Sequence, residues 1–528
     1  MTRTLCATIG LCAVSAAVFA AIPDPIRTDA GQVSGVTLAS GVRVFKGIPF
    51  AAQPLGELRW RPAQPVATWE GVRKADTFSH VCTQPKGRGR LNVSVDLPDS
   101  PLAGEDCLYL NVWTTAASAA DRRPVMVWIF GGAYTEGAGS SPHNDGEALA
   151  RKGVVYVSVN YRLGPFGFFS HPELTKESGK NASGNQAMSD NIAALRWVQK
   201  NIAAFGGDPT NVTIFGESAG AALVAGLTGS PEAKGLFHRA ISESGAWMGL
   251  SMAPMRPRAS VEQPGPGRDG KPAPPLPSLK ELRAKSTDEI TALLRGAGMI
   301  IDGWMVPEDL SITFAQGRQN AVDVLVGSNK DEGSFNAVPV TVEQWKSRVT
   351  QRWGDRADQY LALYPAGSDE EATASSQRQF ADEMFWHMRL FASDQAKRGK
   401  KAWLYYFTHE PPTDPGQRNL RATHTAEIPY VFNNLKAPRV YPDASSPERA
   451  SASAKDRELA ETVSSYWVNF ARTGDPNAKG LAPWPAFRDA AAGRAMILGP
   501  QTEPPNPAKL ALYDKLYAKQ MASLAGTQ

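Results

Sequence analysis

A serine between two glycines is the first feature of this sequence that could do chemistry. The pentapeptide Gly216-Glu217-Ser218-Ala219-Gly220 follows an apolar run at 212–215 typical of a buried strand, and precedes a helix-like run at 221–225. Because glycine has no Cβ, the chain can turn tightly there and hold the hydroxyl out at a helix N-terminus, whose free amides favour developing negative charge. We predict that Ser218 is a nucleophile; an ordinary packing turn is the alternative.

A serine nucleophile needs two further groups. A base must take its proton, usually a histidine, and a buried carboxylate must orient that ring and stabilise its charged form. The candidate acids are Asp331 and Glu332, which follow a strand-like run, and His387, His409 and His424 lie well beyond them. His387 sits in a helix-like stretch that suits a structural role, whereas His409 follows a strand and competes with His424. Sequence physics does not choose between the two acids.

These residues need a scaffold, and strand-like runs alternate with helical ones along the chain. A periodic stretch at 185–204 predicts an amphipathic helix, ended by Gly206. Strands that alternate with helices predict an α/β fold with a mostly parallel central sheet, helices on both faces and right-handed crossovers. The strand-like runs are 33–36, 42–45, 108–113, 125–130, 154–159, 212–215, 240–241, 322–326 and 403–407.

The composition of the 528 residues is that of an ordinary globular protein, with 42% apolar and 20% charged residues. The net charge is only +4 and no basic run stands out, so we expect no nucleic-acid partner. No stretch after the N-terminus is apolar enough to span a membrane. We interpret the chain as a signal peptide at 1–21 and a single domain at 22–528.

The N-terminus has the pattern of a secretory signal. Arg3 precedes a largely apolar stretch that ends in small residues, and cleavage after Ala20 or Ala21 fits. An N-terminal anchor helix is the alternative. Export would place the protein outside the cell or in the periplasm.

The cysteines fit an exported protein. Cys6 and Cys12 would leave with the signal, which predicts a disulfide between the remaining Cys82 and Cys107; two free thiols are the alternative. Later, the stretch at 252–277 carries eight prolines and cannot form a core element, so we expect a surface loop or a flap beside a pocket.

Seven phrases spread over nearly the whole mature chain share their order with one known family. They are FKGIPF at 45–50, EDCLYLNV at 105–112, NYRLGPFGF at 160–168, FGGDP at 205–209 running to GESAG at 216–220, GSNKDEG at 327–333, HTAEIPY at 424–430 and NFARTGDP at 469–476. The sequence thus resembles the type-B carboxylesterases, which include bacterial para-nitrobenzyl-type esterases and cholinesterases. The resemblance implies the α/β-hydrolase fold with large insertions.

The resemblance also implies roles for particular residues. It selects His424 as the base and Glu332 as the acid for Ser218, in the chain order that this fold uses. It places Glu217 on the wall of the site near the histidine, where a carboxylate could orient water; a merely polar wall is the alternative. It further implies two buried ion pairs and a disulfide: Arg59–Glu105, Arg162–Asp190 and Cys82–Cys107.

The oxyanion of an ester intermediate must meet backbone N–H groups. One should belong to Ala219, directly after the nucleophile, and the resemblance assigns the others to Gly132 and Ala133; a simple tight turn is the alternative. Two departures from the family's pattern bear on specificity. Ala133 replaces a glycine of cholinesterases, and no tryptophan lies between the two cysteines, which argues against choline recognition by cation–π attraction.

The leading hypothesis is an exported serine carboxylesterase that hydrolyses small-molecule esters through an acyl-enzyme. This chemistry requires no metal or organic cofactor, and we expect a monomer or homodimer with no stable membrane span. A non-catalytic binding module, as the neuroligins are, is the alternative from a different class. A lipase or feruloyl-type esterase on the same three residues is a third reading.

Overall fold

The computed structural model describes the chain in eight parts. These are residues 22–85, 103–245, 255–262, 276–336, 338–437, 451–488, 494–500 and 505–525. The signal peptide predicted at 1–21 and most of the proline-rich stretch lie outside the described residues.

The described residues form fifteen strands, numbered β1 to β15 in chain order. They are Ile26–Arg27, Gln32–Ser34, Val36–Thr37, Arg43–Pro49, Val72–Lys74, Val81–Cys82, Ala103–Gly104, Tyr109–Thr114, Arg123–Ile129, Val155–Val159, Gly207–Glu217, Arg239–Glu243, Asp323–Asn329, Ala402–Phe407 and Met496–Leu498.

The same residues form fifteen α-helices, numbered α1 to α15 in chain order. They are Glu147–Arg151, Gly164–Gly167, Pro172–Glu177, Gln186–Asn201, Ala219–Gly229, Arg258–Glu262, Leu279–Ala284, Thr287–Leu293, Leu310–Ala315, Val342–Trp353, Ala357–Leu363, Asp369–Lys397, Ile428–Val431, Ala454–Thr473 and Pro507–Ala525.

Ten strands make one sheet, in the order β15-β14-β13-β12-β11-β9-β10-β8-β4-β3. The strands from β15 to β10 pair in parallel, and β8, β4 and β3 pair antiparallel at one edge. Helices α4, α5, α12 and α14 pack against the parallel part. The predicted α/β class with a mostly parallel central sheet is therefore confirmed.

The continuous apolar runs lie in the middle of this sheet. Every residue of β10 and of β14 is buried, as expected for parallel strands covered by helices. Trp128 of β9 packs against Phe215 of β11 with ring centroids 4.8 Å apart. The core thus fixes the strands whose carboxyl ends carry the candidate site.

The helix predicted at 185–204 is confirmed as α4, continued by a 3-10 turn at Ile202–Phe205 and ended by Gly206 in the left-handed region, at φ 80°. Arg196 and Lys200 of this helix are exposed, but other polar residues are not. Gln186 and Asp190 are buried, because the first bonds the backbone of Phe169 and the second pairs with an arginine.

Both predicted buried ion pairs are present. Arg59 Nε and Nη2 donate to Glu105 over 2.7 and 2.6 Å, and Arg162 Nε and Nη2 donate to Asp190 over 2.9 and 2.6 Å. Such two-pronged contacts satisfy a guanidinium and a carboxylate away from water.

The predicted disulfide between Cys82 and Cys107 is also present. Beside it, strand β6, which contains Cys82, pairs in parallel with β7. The pairing and the disulfide together hold the two ends of the segment between the cysteines.

Only part of the proline-rich stretch is described, so the surface loop or flap expected there stays a prediction. Met255 is buried in the core, and its amide donates to Asp309 Oδ2 over 2.9 Å. Pro257 forms an isolated parallel β-bridge with Ile301, and helix α6 follows it in the chain. Prolines disfavour regular strands and helices, but they do not prevent a short segment from packing through its apolar side chains.

None of the helices in the described ranges is long and apolar enough to cross a bilayer.

Candidate active site

The turn that carries Ser218 joins β11 to α5 and depends on its two glycines. A Cβ at Gly216 or at Gly220 would lie 2.4 or 2.0 Å from the carbonyl oxygen of Ile129 in β9, so only glycine lets the turn pack there. Ser218 itself has φ 54° and ψ −123°, and its amide donates to the Glu243 carbonyl over 2.9 Å. A non-glycine residue in this region is strained and persists only where the surroundings hold it.

Ser218 lies at one end of a chain of three hydrogen-bonded side chains. Its Oγ is 2.8 Å from Nε2 of His424, and Nδ1 of the same ring is 2.6 Å from Oε2 of Glu332. Ser218 follows β11, Glu332 follows β13 and His424 follows β14, so carboxyl ends of parallel strands bring together side chains far apart in the chain.

Glu332 is fully buried, and its second oxygen has two donors of its own. The Ser244 hydroxyl donates to Oε1 over 2.5 Å and the Asn329 amide over 2.7 Å. With the imidazole N–H, three donors surround this carboxyl, as a stable buried carboxylate requires. Asp331, the other candidate acid, instead faces Arg421 at 3.9 Å.

The two other candidate histidines lie in separate contacts. His409 Nε2 is 2.7 Å from Oδ1 of Asp456. His387 is fully buried in α12, where its Nδ1 is 2.7 Å from the Glu383 carbonyl, and burial lowers its pKa to about 4. Neither ring is among the partners of Ser218 in the structure.

The loop after β9 lies against the serine. A Cβ at Gly131 would lie 3.0 Å from Cβ of Ser218, so the loop could not approach this closely with a larger residue. Gly132 and Ala133 both have positive φ, 110° and 52°. Within the described chain, the amide N–H groups of Gly132, Ala133 and Ala219 donate to no protein acceptor. Free amides in such a turn are suited to bind an anion.

Glu217 is buried beside the imidazole, and its Oε1 is 3.2 Å from Nε2 of His424. Burial raises the pKa of the Glu217 carboxyl well above its usual value, against the opposing influence of His424. Burial lowers the pKa of His424, but the carboxylates of Glu217 and Glu332 raise it by more. The imidazolium is therefore stabilised by its neighbours.

The sequence reasoning missed four polar residues around these groups. Ser244 and Asn329 support Glu332, as described above, while Glu243 ends β12 and Glu427 precedes α13. Both glutamates are buried. Glu243 stands at the carboxyl end of a strand, and Glu427 stands three positions after His424. These positions are the signals that could have identified them.

A cavity of about 1010 Å³ adjoins the loop that carries His424. Thr423 and Thr425 line it, as does Phe335, whose ring centroid is 5.9 Å from that of His424. Its lining is mixed, because apolar side chains such as Leu435 alternate with charged ones. The basic residues in the lining are Arg151, Arg418, Arg421, Lys436 and Arg457.

The chemistry that this arrangement can perform is nucleophilic attack on a carbonyl. Hydroxyl, imidazole and carboxylate are linked in that order by hydrogen bonds, and free amides lie in the serine turn and in the loop packed against it. In the described ranges, no group of three or more His, Cys, Asp or Glu side chains is arranged to hold a metal ion.

Comparison with known proteins gives a family match over most of the chain. A family model described as the carboxylesterase family matches residues 23–521. Fumonisin B1 esterase from Sphingopyxis macrogoltabida is 38% identical over 513 residues, covering 93% of this chain and 90% of the relative. Para-nitrobenzyl esterase from Bacillus subtilis is 34% identical, covering 88% of this chain and 92% of the relative.

Solved structures give the same picture for the fold. A structure of PNB esterase superposes with a TM-score of 0.75 at 31% sequence identity, covering 92% of this chain and 98% of the other. A second, from a thermophilic PNB esterase, has a TM-score of 0.74 at 32% identity.

Proposed function

The chain belongs to the carboxylesterase family and has its α/β-hydrolase fold, and from this premise we propose that it is an exported serine esterase with Ser218, His424 and Glu332 as its catalytic residues. Carboxylic ester hydrolysis is the activity of the family members that it resembles over most of its length. The non-catalytic module considered above is set aside by that similarity.

In the first half of the reaction, His424 takes the proton from Ser218 as its oxygen attacks the ester carbonyl. The carbonyl oxygen becomes an oxyanion and is bound by the N–H groups of Gly132, Ala133 and Ala219. His424 then gives the proton to the departing alcohol, and the acyl group stays on the serine oxygen.

In the second half, water replaces the alcohol. His424 takes a proton from water as the hydroxide adds to the acyl carbon, and the same three amides bind the second oxyanion. The serine oxygen leaves with the proton from His424, which releases the carboxylic acid. Glu217, within 3.2 Å of the base, is placed to orient that water.

The observation that supports these roles most directly is the pair of contacts at 2.8 and 2.6 Å that link Ser218, His424 and Glu332. The test is a hydrolysis panel on wild type and Ser218→Ala, together with labelling by an organophosphate. We expect one inhibitor mass on Ser218 in the wild type and a loss of roughly 10⁴-fold or more in kcat for the variant. Equal rates in both proteins would refute the assignment.

The cavity beside the loop of His424 does not define the ester site, because its lining includes none of Ser218, His424, Gly132, Ala133 and Ala219. Rates on short and long acyl p-nitrophenyl esters separate the alternatives for the substrate: a preference for long chains would favour a lipase.

The proposal of export is supported by the disulfide, since disulfides persist in oxidising compartments. Just after the predicted cleavage site, Ile22 is buried, and its amide donates to the Ala117 carbonyl over 2.9 Å. The first residue after the predicted signal peptide is thus packed against the folded domain.

A further inference from the structure

The contact between His424 and Glu332 joins two loops that leave neighbouring strands. Glu332 comes shortly after the end of β13, whereas His424 lies far along the loop between β14 and α13. The 2.6 Å contact between Nδ1 of His424 and Oε2 of Glu332 therefore depends on how the second loop is held against the first. Holding a long loop in one conformation costs entropy, so specific bonds must fix it.

The turn that carries His424 is unfavourable by itself. Thr425 has φ 70°, in the left-handed region, which is costly for a β-branched residue. The Ala426 amide donates to the Thr423 carbonyl over 3.1 Å, and this bond closes the turn around His424. A strained conformation of this kind persists only where the surroundings hold it.

Asn329, the last residue of β13, holds this turn from both sides. Its side chain is fully buried, and Nδ2 donates to the Thr423 carbonyl over 2.8 Å and to Oε2 of Glu427. Thr423 directly precedes His424, and Glu427 follows it. The backbone N–H of Asn329 donates to Oε1 of Glu332 over 2.7 Å. One residue therefore contacts both the catalytic acid and the turn of the catalytic base.

The orientation of the Asn329 amide follows from its partners. A carbonyl and a carboxylate can only accept, so Nδ2 must face them, and it uses both of its N–H groups. Oδ1 is buried and has no hydrogen-bond partner among the described residues. An unpaired buried oxygen is costly, so the two donated bonds must offset that cost. An aspartate of the same size would have no donors to offer.

Two further bonds join the same pair of loops. The Asp331 amide donates to the Ala422 carbonyl over 2.9 Å, and the Ser334 hydroxyl donates to the Leu420 carbonyl. Both acceptors lie before the turn. Of these three connections, only that of Asn329 contacts residues on both sides of His424.

We propose that Asn329 is a positioning residue for the catalytic site: its side-chain amide clamps the turn that carries His424, while its backbone N–H holds Glu332 in the same frame. The proposal rests on the function proposed above and adds one residue to it. Asn329 is fully buried and acts through these contacts, without touching the substrate.

The first test is Asn329→Asp, which keeps the size of the side chain. It replaces the two N–H donors by an acceptor that faces the Thr423 carbonyl and the Glu427 carboxylate, so the turn should shift. Because a misplacement of about 1 Å costs on the order of 10²-fold in rate, kcat should fall about 10²-fold. KM should stay within about threefold, since the clamp positions the base rather than binding the substrate.

Asn329→Ser covers the case in which the charged variant does not fold. It removes the carboxamide without adding a charge, and its kcat should fall about tenfold or more for the same reason.

Asn320→Asp is the matched control. Asn320 lies before β13 begins, and its Nδ2 donates to the carbonyls of Leu227 and Ser230 over 3.2 and 2.9 Å. The substitution breaks a comparable pair of bonds at the other end of the strand. The melting temperature should fall, while kcat stays within about threefold of wild type.

Proton NMR gives a readout that a loss of stability alone would not change. A short charge-assisted hydrogen bond between an imidazole N–H and a carboxylate shifts its proton far downfield. The wild type and Asn320→Asp should show this signal from Nδ1–H of His424. In folded Asn329→Asp or Asn329→Ser, the signal should weaken or move upfield.

An exchange of the two groups tests the contact with Glu427 itself. In Glu427→Gln the side chain keeps an oxygen that accepts from Asn329, so kcat should stay within about threefold of wild type. In the double variant Asn329→Asp/Glu427→Gln, the amide introduced at 427 can donate to the carboxylate introduced at 329. The double variant should therefore recover about tenfold in kcat over Asn329→Asp alone.

Three outcomes would overturn the proposal. They are wild-type kcat with an unchanged downfield signal in the Asn329 variants, an equal loss of kcat in Asn320→Asp, and a double variant no better than Asn329→Asp. Retained activity in Ser218→Ala would instead refute the catalytic assignment itself, so the two failures are distinguishable.

Discussion

At the scale of single residues, Glu332 differs from its neighbour Asp331 in what its side chain faces. Glu332 contacts the imidazole, while Asp331 faces Arg421. Glu332→Gln removes the charge that holds the imidazole in its correct tautomer, so kcat should fall about 10³- to 10⁴-fold. Asp331→Asn is the matched control and should keep kcat within about threefold. Kinetics on one p-nitrophenyl ester check both, and equal losses would contradict Glu332 as the acid.

Gly132 gives a second prediction at this scale. A Cβ there would lie 2.0 Å from the Glu136 carbonyl oxygen, at a φ of 110° that disfavours side chains. Gly132→Ala should displace the amides that bind the oxyanion and lower kcat about 10²- to 10³-fold. Gly235→Ala, with φ 78° but nothing within 4 Å, is the control, and it should lower the melting temperature slightly and leave kcat unchanged. A normal kcat in Gly132→Ala would exclude its loop from the oxyanion site.

The residues that could be predicted are those that a short sequence pattern marks. Ser218 stands in a glycine-framed turn, and the resemblance to a family pointed to His424 and Glu332. Glu243 stands in no such pattern, because its position depends on how β12 aligns with β11. The register between two distant strands cannot be predicted from the sequence of either strand alone.

At the scale of elements, the strands were predictable because burial on both faces requires continuous apolar runs. Their ends were less predictable. The run predicted at 240–241, for example, is part of the longer strand Arg239–Glu243, whose last residue accepts a hydrogen bond from Trp467 Nε1. The burial of Gln186 and Asp190 in α4 was likewise not predictable from periodicity. Asp190 of this helix pairs with Arg162, which lies 28 residues earlier in the chain.

That ion pair makes a prediction about stability. Asp190→Asn leaves the Arg162 guanidinium buried without its counter-charge, so the free energy of unfolding should fall by about 3–5 kcal/mol. Asp355→Asn breaks the exposed pair with Lys519 and should leave the denaturation midpoint unchanged. Urea denaturation followed by circular dichroism compares them. Equal midpoints for the two variants would contradict the structural role of the buried pair.

At the scale of the whole molecule, the disulfide favours an exported chain. We expect N-terminal sequencing of the protein recovered from outside the cytoplasm to begin at Ala21 or Ile22, as cleavage after Ala20 or Ala21 requires. A protein that retained residues 1–21 there would support the anchor helix instead.

Loss of the disulfide should weaken the molecule without abolishing its fold. The bridge closes a loop of 25 residues, so replacing Cys82 and Cys107 by serine should lower the free energy of unfolding by about 3.5 kcal/mol. Thermal denaturation of the variant against wild type, both without reductant, measures this. No shift would mean that the pairing of β6 and β7 already fixes the loop ends.

The disulfide and the pairing of β6 with β7 beside it fix the ends of the segment between the two cysteines. The Cα atoms of Cys82 and Cys107 are held 4.9 Å apart whatever lies between them, and the three proposed catalytic side chains follow other strands. Gln84 and Glu105 must be kept, because Gln84 bonds the backbone of Gly137 and Glu105 pairs with Arg59. Grafting only residues 86–102 from other esterases onto this framework is a direct route to new selectivity.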